Sequence, residues 1–155
     1  MRFSRMAIIF HSASFCTTSL AAQSSRHINE ELKVFHCNSD IHQDEYSRAK
    51  NHKIQDQDTN HELNGELSYL VADSHDTRTV LFYDQDNGDY EYFHLSEICD
   101  RTQERYGHAT TEHILVNDRQ GRACAMMMLK TVYPYHNRDG RRPQGSYSLC
   151  AVGSG

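Results

Sequence analysis

Apolar and polar residues alternate in short runs over the second half of the chain, and this pattern predicts β-strands. The runs are rich in β-branched, aromatic and aliphatic side chains and stand between polar turn segments, as is typical of strands. They cover residues 67–71, 79–83, 90–95, 113–116, 123–129 and 147–152. Asn87-Gly88 separates two of them and is a preferred hairpin turn, because both residues tolerate positive φ. A further turn is expected at residues 117–121, so the sequence predicts an antiparallel meander.

The pattern near the start of the chain favours one strand and one helix. Residues 34–37 form a short apolar run that predicts a first strand. Ser39 or Asp40 can cap a helix, and Gln43 follows Asp40 at the spacing of a capping box. We expect a helix over residues 41–51, whose narrow apolar stripe suits packing on a sheet along one edge.

The order of these elements predicts the fold class. Residues 55–66 are polar and predict an irregular loop between the helix and the later strands. One early helix followed by a run of antiparallel strands defines an α+β domain. The predicted fold is therefore α+β, with one N-terminal α-helix packed on a central antiparallel β-sheet.

The first 22 residues have the pattern of a secretory signal peptide. Arg2 and Arg5 precede an apolar stretch, and the small residues Ala21-Ala22 follow it at a suitable cleavage site. A disordered or cytosolic N-terminus is the alternative, because His11 and several hydroxyl side chains interrupt the apolar stretch. We expect three segments: a signal peptide over residues 1–22, a flexible leader over 23–33 and one domain over 34–152.

Charge and hydropathy narrow the possible partners. The chain has a net charge of −5, and the loss of the two arginines with the signal peptide makes it −7. An acidic protein is not expected to bind nucleic acid through broad phosphate attraction, although a local basic site is still possible. No later stretch approaches the roughly 20 apolar residues of a membrane span. We expect a monomer without a membrane segment or a cofactor.

The cysteines favour disulfide bonds over a metal site. Removal of Cys16 with the signal peptide leaves Cys37, Cys99, Cys124 and Cys150, an even number in an exported chain. Four cysteines allow three connectivities, and their spacing does not choose among them. No CxxC pair suggests zinc, and the histidines show no ligand spacing, so no metal site is expected.

Five motifs along the chain suggest a family. As they stand, they are Phe35-His36-Cys37, Ser39-Asp40-Ile41, Asp89-Tyr90-Glu91-Tyr92-Phe93-His94-Leu95, Glu112-His113-Ile114-Leu115-Val116-Asn117 and Tyr147-Ser148-Leu149-Cys150. In order and spacing they resemble the fungal guanyl-specific ribonucleases over residues 34–150. The third resembles that family's Tyr-Tyr-Glu-Trp-Pro-Ile-Leu strand, and the fourth stands in the place of Asp-Arg-Val-Val-Phe-Asn. An unrelated small secreted α+β domain is the alternative.

The resemblance implies a microbial ribonuclease-like fold and one disulfide. In that family the opening aromatic-x-Cys pairs with the terminal cysteine, which implies a Cys37–Cys150 bridge here. Cys99 and Cys124 have no counterpart in that scheme. They form either a second bridge with each other, or Cys124 is a buried free thiol on its strand.

The resemblance also implies the positions of a catalytic set, most of which is replaced. The family uses a Glu base, an Arg and a His on adjacent central strands, with a further His on an earlier strand. Glu91 falls on the base, but His113 stands at the Arg and Met128 at the catalytic His. Asp73 falls on the earlier His unless a short gap brings His75 there. Methionine exchanges no proton, so Glu91, His113, Met128 and Asp73 are expected to be vestigial. We therefore expect that the chain is not an enzyme.

A chain with such a degraded catalytic set resembles the RNase-like effectors that powdery mildew fungi secrete and that are associated with haustoria. That resemblance implies a secreted, non-catalytic virulence effector translocated into host plant cells. Its expected partners are host RNA or host proteins, together with plant immune receptors that recognise it. Two other functions stay open: an active secreted guanyl-preferring endoribonuclease, and a protein that acts only outside the host cell.

One segment has the composition of an RNA contact. It combines aromatic rings that can stack on bases with guanidinium groups that can bind phosphates. The candidate RNA-binding residues are Tyr133, Tyr135, Arg138, Arg141 and Arg142. A solvated loop whose charges only maintain solubility is the alternative for this segment.

Overall fold

Two antiparallel sheets and two helices make up the part of the chain that the computed structural model describes, residues 28–73, 89–104, 107–134 and 142–155. The helices are α1 (Gln43–Arg48) and α2 (Gln57–Asp73). The strands are β1 (Lys33–His36), β2 (Asp40–Ile41), β3 (Glu91–Glu104), β4 (Gly107–Asn117), β5 (Ala123–Pro134), β6 (Gln144–Leu149) and β7 (Ala151–Ser154). The α+β class is confirmed, but the expected single N-terminal helix is replaced by two.

The larger sheet has the strand order β3-β4-β5-β6 and carries most of the described core. Its strands β3, β4 and β5 cover the predicted runs 90–95 (from residue 91), 113–116 and 123–129, and each extends well beyond its run. Residues 113–117 of β4 are buried without interruption, so both faces of the sheet are covered there. Towards residue 107 the burial alternates, and the outer rows of the sheet become polar and more exposed.

Helix α2 occupies the segment that the sequence pattern assigned to a loop over 55–66 and a strand over 67–71. Asp56 begins it, because its Oδ2 accepts hydrogen bonds from the Thr59 N–H at 2.9 Å and from the Thr59 hydroxyl at 2.6 Å. Leu63 and Leu67 are one turn apart and fully buried. The helical spacing of these leucines outweighs the strand propensity of the residues that follow.

Helix α1 begins later than its predicted cap. Asp40 belongs to β2, which pairs with β1, and its Oδ1 lies 2.7 Å from Nδ1 of His36. The helix therefore begins at Gln43, where Glu45 accepts a hydrogen bond from the His42 N–H at 2.9 Å. A 3₁₀ turn, Ala49–Asn51, follows, so the predicted helix 41–51 is helical over most of its length.

The predicted last strand, 147–152, is two strands in different sheets. Cys150 separates them and donates its N–H to the carbonyl of Met126 at 3.0 Å. Strand β6 pairs with β5 in the larger sheet, whereas β7 pairs with β1 in the smaller sheet, of order β2-β1-β7. The predicted Cys37–Cys150 disulfide is confirmed, and it lies where the chain passes from one sheet to the other.

The turn between β4 and β5 is held by one carboxylate. Asp118 Oδ1 accepts from the N–H groups of Gln120 and Arg122, both at 2.9 Å, and its Oδ2 accepts from Nε of Arg122 at 2.6 Å. Burial works against the charge, but these bonds and the guanidinium outweigh it and lower the pKa of Asp118. Gly121 adopts φ of +73°, which a glycine tolerates without strain. The turn predicted at 117–121 is confirmed.

The fold begins before residue 34, inside the predicted leader 23–33. Residues Glu30–Leu32 form a 3₁₀ turn, and Lys33 is the first residue of β1. The Lys33 side chain is fully buried, where it makes an ion pair with Glu30 and donates to the carbonyl of Ala123 at 2.5 Å. Tyr46 donates its hydroxyl to the carbonyl of Glu30 at 3.0 Å. These bonds attach the start of the domain to β5 and to α1.

Cys124 is a buried free thiol, so the alternative of a second bridge to Cys99 is wrong. Its Sγ donates to the carbonyl of Val116 at 3.2 Å. Burial, and next the charge of Asp118, raise the pKa of Cys124 to about 12, so the thiol is neutral at neutral pH.

We expect Cys124 in the native protein to resist alkylation. The raised pKa leaves a thiolate fraction about 1000-fold smaller than that of an ordinary thiol, and the side chain is inaccessible as well. Iodoacetamide labelling followed by mass mapping of the peptide that contains Cys124 would measure this. The same peptide should be labelled rapidly in guanidinium chloride, and equally rapid labelling without denaturant would contradict the prediction.

Several predicted features lie outside the described residues. They are the signal peptide 1–22, the strand 79–83, the Asn87-Gly88 turn, His75, Tyr135, Arg138, Arg141 and the side chain of Cys99.

Candidate functional site

The two replaced catalytic positions are neighbours in one row across the larger sheet. In that row Leu95, His113, Met128 and Ser148 are directly paired from β3 to β6. His113 is 0 % exposed and lies in the core beside Leu95, which is also buried. An imidazole at this depth cannot reach a phosphate in solvent. Met128, next to it, offers no titratable group, so the row lacks an accessible acid, base or cation at both positions.

Glu91 lies on the same sheet but outside that row. It begins β3 and pairs with Asn117, four residues from Leu95, which is roughly 14 Å along the strand. Its Oε1 lies 2.5 Å from Nζ of Lys53, and both side chains are a little under half exposed. The structure therefore places Glu91 on a strand adjacent to that of His113, as expected, but does not bring the two side chains together.

Asp73 lies on a helix, whereas the other three candidates lie on strands of the larger sheet. It is the exposed last residue of α2 and not part of an earlier strand, because the predicted strand 67–71 is helical. The carboxylate of Asp73 therefore does not lie on a strand, where the resemblance implies the earlier catalytic His.

Glu91 borders an open cleft of about 570 Å³ between the start of β3 and the first half of α2. Two ion pairs stand at this cleft, Lys53 with Glu91 and Arg119 with Asp89. The helix contributes two amides, and that of Asn64 accepts a hydrogen bond at 2.6 Å from the Tyr92 hydroxyl. Each cation is matched by a carboxylate, so these four groups give the cleft no net charge.

A second feature stands at the far end of the sheet, where the rows are exposed. His108 and Tyr133 are paired across β4 and β5, and their rings are stacked with centroids 5.0 Å apart and planes 11° apart. Beside them an open pocket of about 320 Å³ is lined by Arg101, Thr102, Gln103 and His108. We name these five residues, Arg101, Thr102, Gln103, His108 and Tyr133, the aromatic tip.

The structure describes two of the five predicted RNA contacts, and both lie at or next to the aromatic tip. Tyr133 is part of it, and Arg142 is exposed two residues before Gln144, which pairs with Val132. Sequence reasoning missed His108 and Arg101. The alternation of Arg101 and Gln103 along a strand was a usable signal, but the pairing of His108 with Tyr133 depends on a register that the sequence does not display.

Residues 28–73, 89–104, 107–134 and 142–155 contain neither a metal-ligand cluster nor a membrane-spanning helix. No three His, Cys, Asp or Glu side chains come together there in a way that could hold a metal ion. Neither of the two helices is long and apolar enough to cross a membrane.

Comparison with known proteins gives no assignment. The chain matches no protein-family model, no curated protein and no solved structure.

Proposed function

We propose that this chain is a secreted, non-catalytic RNase-like virulence effector that acts in host plant cells by binding host RNA or host proteins. The observation that carries the proposal is the row of His113 and Met128. Cleavage of RNA needs cationic donors for the phosphate and an acid for the leaving oxygen. At the two positions where the resemblance expects them, this chain has a fully buried imidazole and a thioether.

The expected loss of rate is large enough to separate the non-catalytic effector from an active ribonuclease. Removal of a general acid lowers a rate by about 10²–10⁴, and loss of an electrostatic donor lowers it by about 10²–10³. Glu91 is retained in type, and the earlier His is retained only if a short gap places His75 there. Lys53 is 2.5 Å from Glu91 and would compete with a ribose hydroxyl for its carboxylate.

Two further observations support the secreted character in the proposal. The Cys37–Cys150 bridge is of the kind that persists in exported proteins, and its pairing is the one that the resemblance implies. The first 22 residues have the composition of a signal peptide. Translocation into the host cell and recognition by plant immune receptors follow from the effector resemblance alone.

An active guanyl-preferring endoribonuclease is the second candidate, and the position of Glu91 favours it. The carboxylate is partly exposed at a cleft that also holds Lys53 and Arg119, so a base and two cations are present together.

An RNA cleavage assay on the oxidised protein separates the two candidates. We expect no cleavage above that of buffer, and no difference between the unchanged protein and Glu91→Gln. Glu62→Gln, which removes an exposed carboxylate from α2, is the matched control. Cleavage that is lost in Glu91→Gln and kept in Glu62→Gln would establish the second candidate and overturn the proposal.

A further inference from the structure

We propose that the aromatic tip is a binding site for single-stranded RNA, with one base in the pocket beside His108 and a phosphate on Arg101. The inference rests on the proposed function only in taking RNA as a ligand. It assigns that ligand to residues far from the row of His113 and Met128 and from the cleft at Glu91.

The stacked pair gives the site a base-stacking surface. A centroid separation of 5.0 Å between nearly parallel rings corresponds to offset stacking, which leaves part of each ring face uncovered. Both rings are only partly exposed, so their orientation is fixed by the sheet before a ligand binds. Aromatic faces that are held in this way stack on any base, and this is how proteins bind single strands with little sequence preference.

The pocket next to His108 supplies the remaining chemistry. Gln103 is paired with His108, and Arg101 lies two residues before Gln103 on the same strand. The side chains of Arg101, Gln103 and His108 therefore point to the same face of the sheet. Arg101, Thr102 and Gln103 are exposed. The carboxamide of Gln103 can bond the edge of a base. The guanidinium of Arg101, two residues along the strand, can bind the phosphate that precedes or follows it.

The aromatic tip suits RNA better than the larger cleft at Glu91 does. In that cleft Lys53 and Arg119 already make ion pairs with carboxylates, which a phosphate would have to displace. At the tip the exposed arginine stands beside a ring stack. Arg142, also exposed, lies two residues before Gln144, which pairs with Val132 next to Tyr133. A duplex is a poor fit, because its bases are already stacked on each other.

Fluorescence anisotropy with a labelled single-stranded RNA decamer tests the stacking contact. We expect Tyr133→Ala and His108→Ala each to raise Kd about tenfold, and Tyr133→Phe to leave it nearly unchanged. Tyr69→Ala is the matched control, because Tyr69 is an exposed aromatic residue on α2. The duplex of the same sequence should bind more weakly than the single strand. Thermal unfolding of each variant shows that its fold is intact.

The salt dependence of the same titration tests the phosphate contact. Arg101→Gln should lower the slope of log K against log salt by about 0.7, the value for one phosphate on a single strand. Arg48→Gln, which removes an exposed arginine from α1, should leave the slope unchanged.

The outcomes distinguish the site from the wider proposal. If RNA binds but Tyr133→Ala and His108→Ala bind it as well as the unchanged protein, the site is wrong and RNA binding stands. If the unchanged protein binds no RNA, the inference is overturned and the non-catalytic proposal is left with protein partners. Cleavage of the probe in these titrations overturns the non-catalytic proposal and leaves the site in place.

Discussion

Replacement of both Cys37 and Cys150 by alanine is expected to lower the free energy of unfolding by about 5 kcal/mol. The bridge joins residues 113 positions apart, and in the chain-entropy treatment a loop of this length restricts the unfolded ensemble by about that amount. Domains of this size have a total stability of roughly 5–15 kcal/mol. Urea unfolding of the double variant, followed by circular dichroism, measures the loss.

Cys124→Ala is the control for this experiment, because it removes a buried sulfur without opening a covalent loop. A core substitution of this small volume is expected to lower the stability by about 1 kcal/mol. If the double variant is no less stable than Cys124→Ala, the bridge does not constrain the unfolded chain as argued.

The buried ion pair at the start of the domain is the second large effect. Glu30→Gln is expected to lower the free energy of unfolding by about 3 kcal/mol, because it removes the negative charge that Glu30 places beside the fully buried ammonium of Lys33. Lys33→Met should lower it less, by about 1–2 kcal/mol. In that variant the remaining carboxylate is a third exposed and can be hydrated, while the carbonyl of Ala123 loses a donor.

The double variant Glu30→Gln/Lys33→Met tests the cause of this asymmetry. Its stability should be close to that of Lys33→Met alone, because no buried charge is left to compensate. Urea unfolding of the four proteins forms a double-mutant cycle. Additive losses in the double variant would show that the two side chains act independently, contrary to the contact between them.

The elements that the sequence pattern predicted well are those with a local signal. The Asn117–Gly121 turn contains the carboxylate and the glycine that such a turn needs, and the apolar run over residues 123–129 is long enough to mark a central strand. The Cys37–Cys150 pairing was predictable only through a family resemblance, because spacing alone leaves three connectivities open.

Helix α2 was missed because two local signals conflicted. Tyr69, Leu70 and Val71 favour a strand by propensity, and Gly65 with several Asn and Asp residues favours a loop. The winning signal was the i, i+4 spacing of Leu63 and Leu67, which both become fully buried against the sheet. Burial of the two leucines in tertiary packing decides such a segment, and the sequence does not show the packing surface.

The candidate sites were only partly predictable for a related reason. The residue types at Glu91, His113 and Met128 can be read from the sequence, but their mutual distances depend on strand register. Strand register places His113 beside Met128, whereas Glu91 lies four residues along β3 from Leu95, the partner of His113. The stack of His108 on Tyr133 has the same origin, since its two members are 25 positions apart in the chain.

The pairing of β1 with β7 affects the order in which the domain can fold during synthesis. The smaller sheet needs residues 33–36 and 151–154 together. Strand β1 therefore cannot pair with β7 until almost the whole domain has been translated. Contacts between such distant segments also make folding slow, because loop closure precedes any stabilising contact. The larger hairpins β3-β4 and β4-β5 can form first. Formation of the Cys37–Cys150 disulfide is then a late event that stabilises a nearly folded domain.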